Sequence, residues 1–395
     1  MRRDRAEIVV AGHICLDIIP SFEGGKSGWA EILVPGKLVN MGAAVIATGG
    51  AVSNTGLALH LLGVPTRLIG KVGDDLFGHA ILEILRGYDP ALAEGMLITK
   101  EAPSSYSVVI NLPGVDRIFL HCPCANDTFG AADVPYDRLR GVKLFHFGYP
   151  PLMRRMFADG GAELAALLRG VKDVGVTTSL DMAKPDPASE AGKAPWLDIL
   201  KRALPYVDVF LPSVDEILFM LDRKRFDQMG SEMASRADGV LLRNLAGQLL
   251  SMGVAIAALK LGSEGLYLRT TDKAERLEKM VSCPVSDVEA WLGRELLSPC
   301  FRADVIGTTG AGDCAIAGFL AGLASGLGPE ETMTSAVAVG ACSVERADAT
   351  SGIPTWEQVR ARLRARWERR PTSVKLDGWR WDESASLWRG PSDPG

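Results

Sequence analysis

Residues 304 to 323 constrain this chain more than any other stretch. They read Asp-Val-Ile-Gly-Thr-Thr-Gly-Ala-Gly-Asp and then Cys-Ala-Ile-Ala-Gly-Phe-Leu-Ala-Gly-Leu. The second half is small and apolar throughout, which suits a helix packed tightly in an interior, and that helix starts inside the motif. A helix start leaves backbone N–H groups without intrahelical partners and carries the positive end of the macrodipole, so it attracts an anion. Gly310 and Gly312 lack a Cβ and let a charged ligand reach the main chain. Asp313 stands directly behind this cradle, where a carboxylate would repel a phosphate that was merely held. As a base it makes sense: it can accept the proton of an attacking hydroxyl while the amides of Gly310, Ala311 and Gly312 neutralise charge on a transferred phosphoryl group. The same letters describe a glycine turn with Asp313 as helix N-cap, and the motif alone leaves both readings open.

A second string bears on the choice. Gly49-Gly50-Ala51-Val52-Ser53-Asn54 opens a segment with apolar residues at 57, 58, 61 and 62, ending at Gly63 with Pro65 beyond. This is a helix start preceded by two glycines, and Asn54 offers it one acceptor and two donors. Asp17 ends an apolar run from residue 7, which places it near a strand's carboxyl edge, where open α/β sheets bind ligands.

The two strings together resemble the paired signatures of the ribokinase-like carbohydrate kinases, the PfkB group. The resemblance covers the chain to about residue 365. It implies ATP as phosphoryl donor, Mg²⁺ on the phosphates, and a sugar held by Asp17, Gly49, Gly50 and Asn54. Arg117, on a lid strand, is a further substrate-binding candidate. On the nucleotide side it implies Lys260, Gly262, Gly265 and Thr308 along the phosphates, with Val337 and Ala341 on a small-residue helix walling an adenine slot. Where the family reads Asn-x-x-Glu for magnesium and phosphate through water, this chain reads Ser213-Val214-Asp215-Glu216, keeping the glutamate and losing the asparagine. One carboxylate acting through water is sufficient for a well-hydrated magnesium ion. The family's aspartate for a monovalent cation is replaced by Gly307, which leaves potassium activation open.

The rest of the chain suits that fold. Strand and helix patterns alternate from residue 143: strands at 144–147, 176–181, 207–211, 254–259 and 265–268, helices at 162–169, 196–203 and 214–221. Alternation of this kind builds a doubly wound, mostly parallel α/β sheet with helices on both faces. Strands are also expected at 7–11 and 67–72. Short β-like pieces at 31–34, 37–40 and 45–48, and a hairpin across 106–120, predict a small β lid from segments 18–48 and 102–126. The kinase domain is read as residues 1–365. Residues 282–300 look like an insertion between edge strands, and an arginine-dense helix is expected over 356–370. Residues 366–395, with Trp379, Trp381 and Trp388, are expected to pack on the body or on a partner subunit. Lid sheets of this type often pair across a two-fold axis, so a homodimer through the lid is the corresponding expectation.

Composition removes several other classes. The chain has 395 residues, 47% hydrophobic and 23% charged, which suits one large α/β domain, although two unequal domains also fit. A net charge of −5 gives no broad attraction to nucleic acid or anionic membrane. No uncharged apolar run reaches the roughly 18 to 20 residues that span a bilayer. Seven scattered cysteines predict reduced thiols and a cytoplasmic setting. Cys122-Pro123-Cys124 has no second Cys/His pair nearby in sequence, which argues against a metal site there. Gly24-Gly25-Lys26-Ser27 is not a P-loop, because that loop needs a glycine at position 20, which is Pro. The expected activity is therefore ATP-dependent phosphorylation of a sugar or sugar-like alcohol. Its rivals are a nucleoside kinase, with a wider and more aromatic acceptor pocket, and a catalytically silent sugar-binding protein on the same scaffold.

Overall fold

The computed structural model describes residues 7–21, 34–110, 118–230 and 233–395. Its strands in chain order are β1 (Ile8–Gly12), β2 (Cys15–Ile19), β3 (Val45–Gly49), β4 (Thr66–Ile69), β5 (Lys71–Gly73), β6 (Leu97–Thr99), β7 (Tyr106–Ile110) and β8 (Ile118–Cys122). These are followed by β9 (Leu144–Gly148), β10 (Thr177–Leu180), β11 (Val209–Phe210), β12 (Ile256–Lys260), β13 (Leu266–Thr270), β14 (Glu295–Ser298), β15 (Arg380–Asp382) and β16 (Leu387–Arg389). Ten of them form one sheet in the order β15-β16-β14-β13-β12-β11-β10-β9-β1-β4. From β4 to β12 the pairing is parallel, and from β12 to β15 it is antiparallel.

The alternation of β1 explains the two-sided core. Ile8 and Val10 point into one apolar cluster with helices Ala51–Leu61, Ala311–Ala324 and Pro329–Ser343. Val9 and Ala11 point into the other, with helices Ala162–Asp173, Trp196–Ala203, Val214–Leu221 and Gly239–Ser251. A strand buried on both faces needs no polar residue along its length, and β1 has none. Gly12 has φ 125 and lies against Gly148 on β9, so the sheet's carboxyl edge closes without side chains between the two strands.

A second sheet, in the order β3-β2-β7-β8, rises from that edge. Only His13 and Ile14 separate β1 from β2, so the lid is tethered directly to the sheet's first strand. Asp17 therefore lies within a lid strand, paired with Ala47 on β3 and Ser107 on β7, rather than at the end of β1. The β7–β8 hairpin forms in antiparallel register from Tyr106↔Cys122 to Ile110↔Ile118. Its turn, Arg117 and the 24–27 segment lie outside the described residues, as do residues 31–33.

Four expectations are corrected. Residues 37–40 form no strand, and Leu38, 83% exposed, has nothing to pack against. The expected 67–72 strand is divided at Gly70 into β4 and β5, the latter pairing with β6 instead of continuing the main sheet. The 282–300 stretch is no appendage: it supplies β14, buried along its whole length, and Trp291, fully buried. The helix from Trp356 stops at Arg364, because Arg366 turns left-handed (φ 57) and Trp367 stacks on Phe301 with ring centroids 4.5 Å apart. The final residues then return as β15 and β16, with Leu296 opposite Arg389 and Leu297 opposite Trp388. Asp393 accepts from Arg294 Nε and from the Glu295 amide, both at 3.0 Å, and so fastens the chain's end beside β14.

The reading of all cysteines as reduced thiols is also corrected. Cys122 and Cys124 form a disulfide, whereas Cys15, Cys283, Cys300, Cys314 and Cys342 are free. Among the described residues, no helix is long and apolar enough to cross a membrane.

Candidate active site

Two helix tips meet over the carboxyl edge of the sheet. Gly310 (φ 68) starts the helix Ala311–Ala324, and Gly50 (φ 86) starts the helix Ala51–Leu61; no side chain caps either. Both have the positive φ that L side chains rarely adopt, and a Cβ on Gly310 would collide with Ala349. The helices lie close enough for Asn54 Nδ2 to donate to Asp313 Oδ2 at 2.9 Å and for Thr55 Oγ1 to reach the Asp313 carbonyl at 3.4 Å. Asn54 keeps its Oδ1 buried and without a partner.

Asp313 has a second donor that the sequence did not reveal. Tyr149 follows β9 in the left-handed region (φ 64), and its hydroxyl lies 2.8 Å from each Asp313 carboxylate oxygen. A partly buried tyrosine in that conformation is strained, and such strain gathers at functional sites. The only sequence hint is position: Gly148-Tyr149-Pro150-Pro151 leaves a strand at the sheet's carboxyl edge. The Tyr149 amide donates to Asp181 Oδ1 at 3.2 Å, and Lys260 Nζ stands 3.8 Å from Asp181 Oδ2. Burial pushes the Asp313 carboxyl above its usual range, opposed by Lys260 and by the donors Asn54 and Tyr149. Burial raises Asp181 and Glu216 likewise, with Lys260 opposing in both. His146, buried beneath them, is driven down to about 3 by burial and by Lys260, and is neutral.

A cavity opens on each side of this junction. One, of about 780 Å³, is lined by Lys260, Gly262, Gly265, Thr308, Ala311, Gly312, Val337 and Ala341, so every nucleotide-side candidate but Ser213 reaches it. Phe301 also lines it, and Arg302, Arg362 and Arg370 add positive charge against Asp304 and Glu345. The other, of about 720 Å³, is lined by Asp17, Gly50, Asn54, Glu216, Gly310 and Asp313. To these it adds His13, Cys15, His121, Tyr149 and Lys184, none of them anticipated. Thr308 borders both cavities.

Two candidates act at one remove. Ser213 lines neither cavity; its Oγ accepts from the Glu216 amide at 3.2 Å while Glu216 Oε2 accepts from the Ser213 amide at 2.6 Å, a reciprocal cap that fixes the glutamate. Gly49 leaves room for Asp17, whose carboxylate a Cβ there would overlap. Burial lifts Asp17 to about 6, against the hydrogen bonds from Cys15 and Ser107.

A model of the pfkB family carbohydrate kinases matches residues 5–356. The chain belongs to that family. Its similarity to fructokinase-2 of Oryza sativa subsp. japonica is 29% identity over 221 residues, which is 54% of this chain and 59% of the rice protein. To fructokinase-2 of Zea mays it is 26% identical over 363 residues, 88% of this chain and 91% of the maize protein. The fold matches that of Arabidopsis thaliana ribokinase complexed with ribose and ATP at a TM-score of 0.66 and 18% identity, over 91% of this chain and 99% of the other. The pfkB match thus spans the main sheet from β1 to β14, the lid strands and the acceptor cavity, and ends where the helix Trp356–Arg364 begins, leaving β15, β16 and the Arg362 and Arg370 wall of the other cavity outside it.

Proposed function

We propose that this kinase-family chain transfers the γ-phosphoryl group of ATP to a hydroxyl of a sugar or sugar-like alcohol. One observation carries the reading: the Asp313 carboxylate, held by two donors, stands at the junction of a basic, glycine-lined cavity and a polar one. ATP lies in the first with its γ-phosphate toward the helix-start amides at 310–312, and the acceptor lies in the second. Asp313 takes the hydroxyl proton as the oxygen attacks phosphorus. The helix start stabilises charge on the phosphoryl oxygens, and ADP leaves. Asp17 and the unpartnered Asn54 Oδ1 position the acceptor by accepting from its hydroxyls.

The donor set suits magnesium. Glu216 borders the acceptor cavity and supplies a hard oxygen donor, while Asp181 Oδ2, buried without a hydrogen bond and 3.8 Å from Lys260 Nζ, stands behind it. Bound there with its waters, Mg²⁺ would neutralise phosphate charge. An aspartate at 307 would not fit, because a Cβ there would lie 2.9 Å from the carbonyl oxygens of Arg346 and Ala347. Activity is accordingly expected without added potassium.

The test is a panel of hexoses, pentoses and nucleosides assayed for ADP release with ATP and Mg²⁺. Release with a sugar supports the reading. Release with nucleosides alone makes the chain a nucleoside kinase, and ligand-induced thermal stabilisation with no ADP from any compound makes it a silent binder. The lid leaves Val45, Ile46 and Leu120 about half exposed, which fits pairing of two lids; a light-scattering mass of twice 42.2 kDa is expected, and a mass of 42.2 kDa would contradict it.

A further inference from the structure

The acceptor cavity holds one cluster that phosphoryl transfer does not use. His13 follows β1, Cys15 opens β2 and His121 lies on β8, so two stretches far apart in the chain deliver them. One ligand atom from each lies within 4.8 Å of the others, the one such trio found among the described residues.

His121 uses both ring nitrogens, His13 only one. His13 Nε2 and His121 Nε2 face each other at 3.2 Å, and His13 Nδ1 is buried with no partner. His121 Nδ1 lies 3.0 Å from Ser107 Oγ. With the proton on Nδ1 for that bond, the His121 Nε2 lone pair faces His13 Nε2 and is left for a metal between them, and Ser107 gives the outer support that metal-binding histidines carry. Two nitrogens on one tetrahedral zinc, each bound at about 2.0–2.1 Å, lie about 3.3–3.4 Å apart, close to the separation observed here. Cys15 Sγ is 3.2 Å from Asp17 Oδ1 and 3.7 Å from Ser107 Oγ, and lies within 4.8 Å of the histidine ligand atoms.

We propose that His13, Cys15 and His121 bind a zinc-class divalent cation inside the acceptor cavity, with the Asp17 carboxylate or a water in the remaining position. Two imidazoles and a thiolate are nitrogen and sulfur donors; they select zinc or cobalt(II) and reject the oxygen-seeking magnesium. The thiol proton passes to solvent on binding. The site goes beyond the kinase reading and is independent of it, because it is measured with neither ATP nor sugar.

The experiment titrates chelator-stripped full-length protein with Co²⁺. A thiolate-to-cobalt charge-transfer band is expected at one equivalent, bleached by Zn²⁺ and untouched by excess Mg²⁺. Cys15→Ser removes the band, and His121→Ala weakens affinity by at least about 10- to 100-fold, the range already produced by losing a supporting group. Ser107→Ala weakens it by about tenfold. Circular dichroism confirms that each variant is folded. If Cys15→Ser fails to fold, the wild-type spectrum and the partly exposed His121 position decide. Absence of the band in the wild-type protein, its survival in folded Cys15→Ser, or full affinity in His121→Ala would overturn the site.

Discussion

The two cavities that meet at Asp313 are nearly equal in size, about 780 and 720 Å³, yet the chain builds them differently. The nucleotide cavity is drawn from residues 260 to 371, in loops and helix faces of glycine, alanine and valine. The acceptor cavity is assembled from at least six separate stretches between His13 and Asp313, including three lid strands and the turn after β9. Binding a common nucleotide needs close backbone approach, which a few glycines at fixed spacing supply. Holding a particular acceptor needs side chains converging from many elements, and no local spacing encodes that.

Substitutions can break or sharpen this contrast. The junction itself should respond most: Asp313→Asn is expected to lower kcat by about 10²- to 10⁴-fold, the usual worth of a general base, with little change in ATP affinity by calorimetry. Unchanged turnover would remove Asp313 from its role. Tyr149→Phe comes next. A hydrogen bond to a charged group contributes about 1.5–3 kcal/mol, so a fall in kcat/KM of about 10- to 100-fold is expected if Tyr149 positions the base. A purely structural tyrosine would lower the thermal midpoint and leave kcat intact. Lys260→Met should raise KM for ATP by about tenfold while moving KM for the acceptor little, which separates the two cavities kinetically. Equal changes in both would deny the separation. The smallest effect belongs to Ser213→Ala, where loss of the helix cap should cost about 0.5–2 kcal/mol in denaturant unfolding.

The sheet was legible because buried parallel strands such as β1 are unbroken apolar runs, and helices such as Trp196–Ala203 and Val214–Leu221 carry clear periodicity. The tail's pairing with β14 was not, because β15 and β16 are three residues each and derive their strand character from their partner. The contact between Asn54 and Asp313 spans 259 positions, and its two glycine-flanked helix starts could be read separately. Tyr149, His13 and His121 could not, since a lone aromatic or histidine has no local signature; only the fold aims them at one hollow. Ser213 showed as a departure from the family motif, and the structure assigns it the support of Glu216 instead.

The central claim is that Asp313 acts as the base with its carboxylate held by Tyr149 and Asn54. Burial raises its pKa, so the base is lost by protonation as pH falls, and the acid limb of kcat/KM should lie above the ordinary carboxylate range. Tyr149 stabilises the charged form, so in Tyr149→Phe that limb should move to still higher pH. A pH–rate profile of both proteins measures this directly: an upward shift of the limb is the expected result, and identical limbs, or one at the pH of an exposed aspartate, would contradict it.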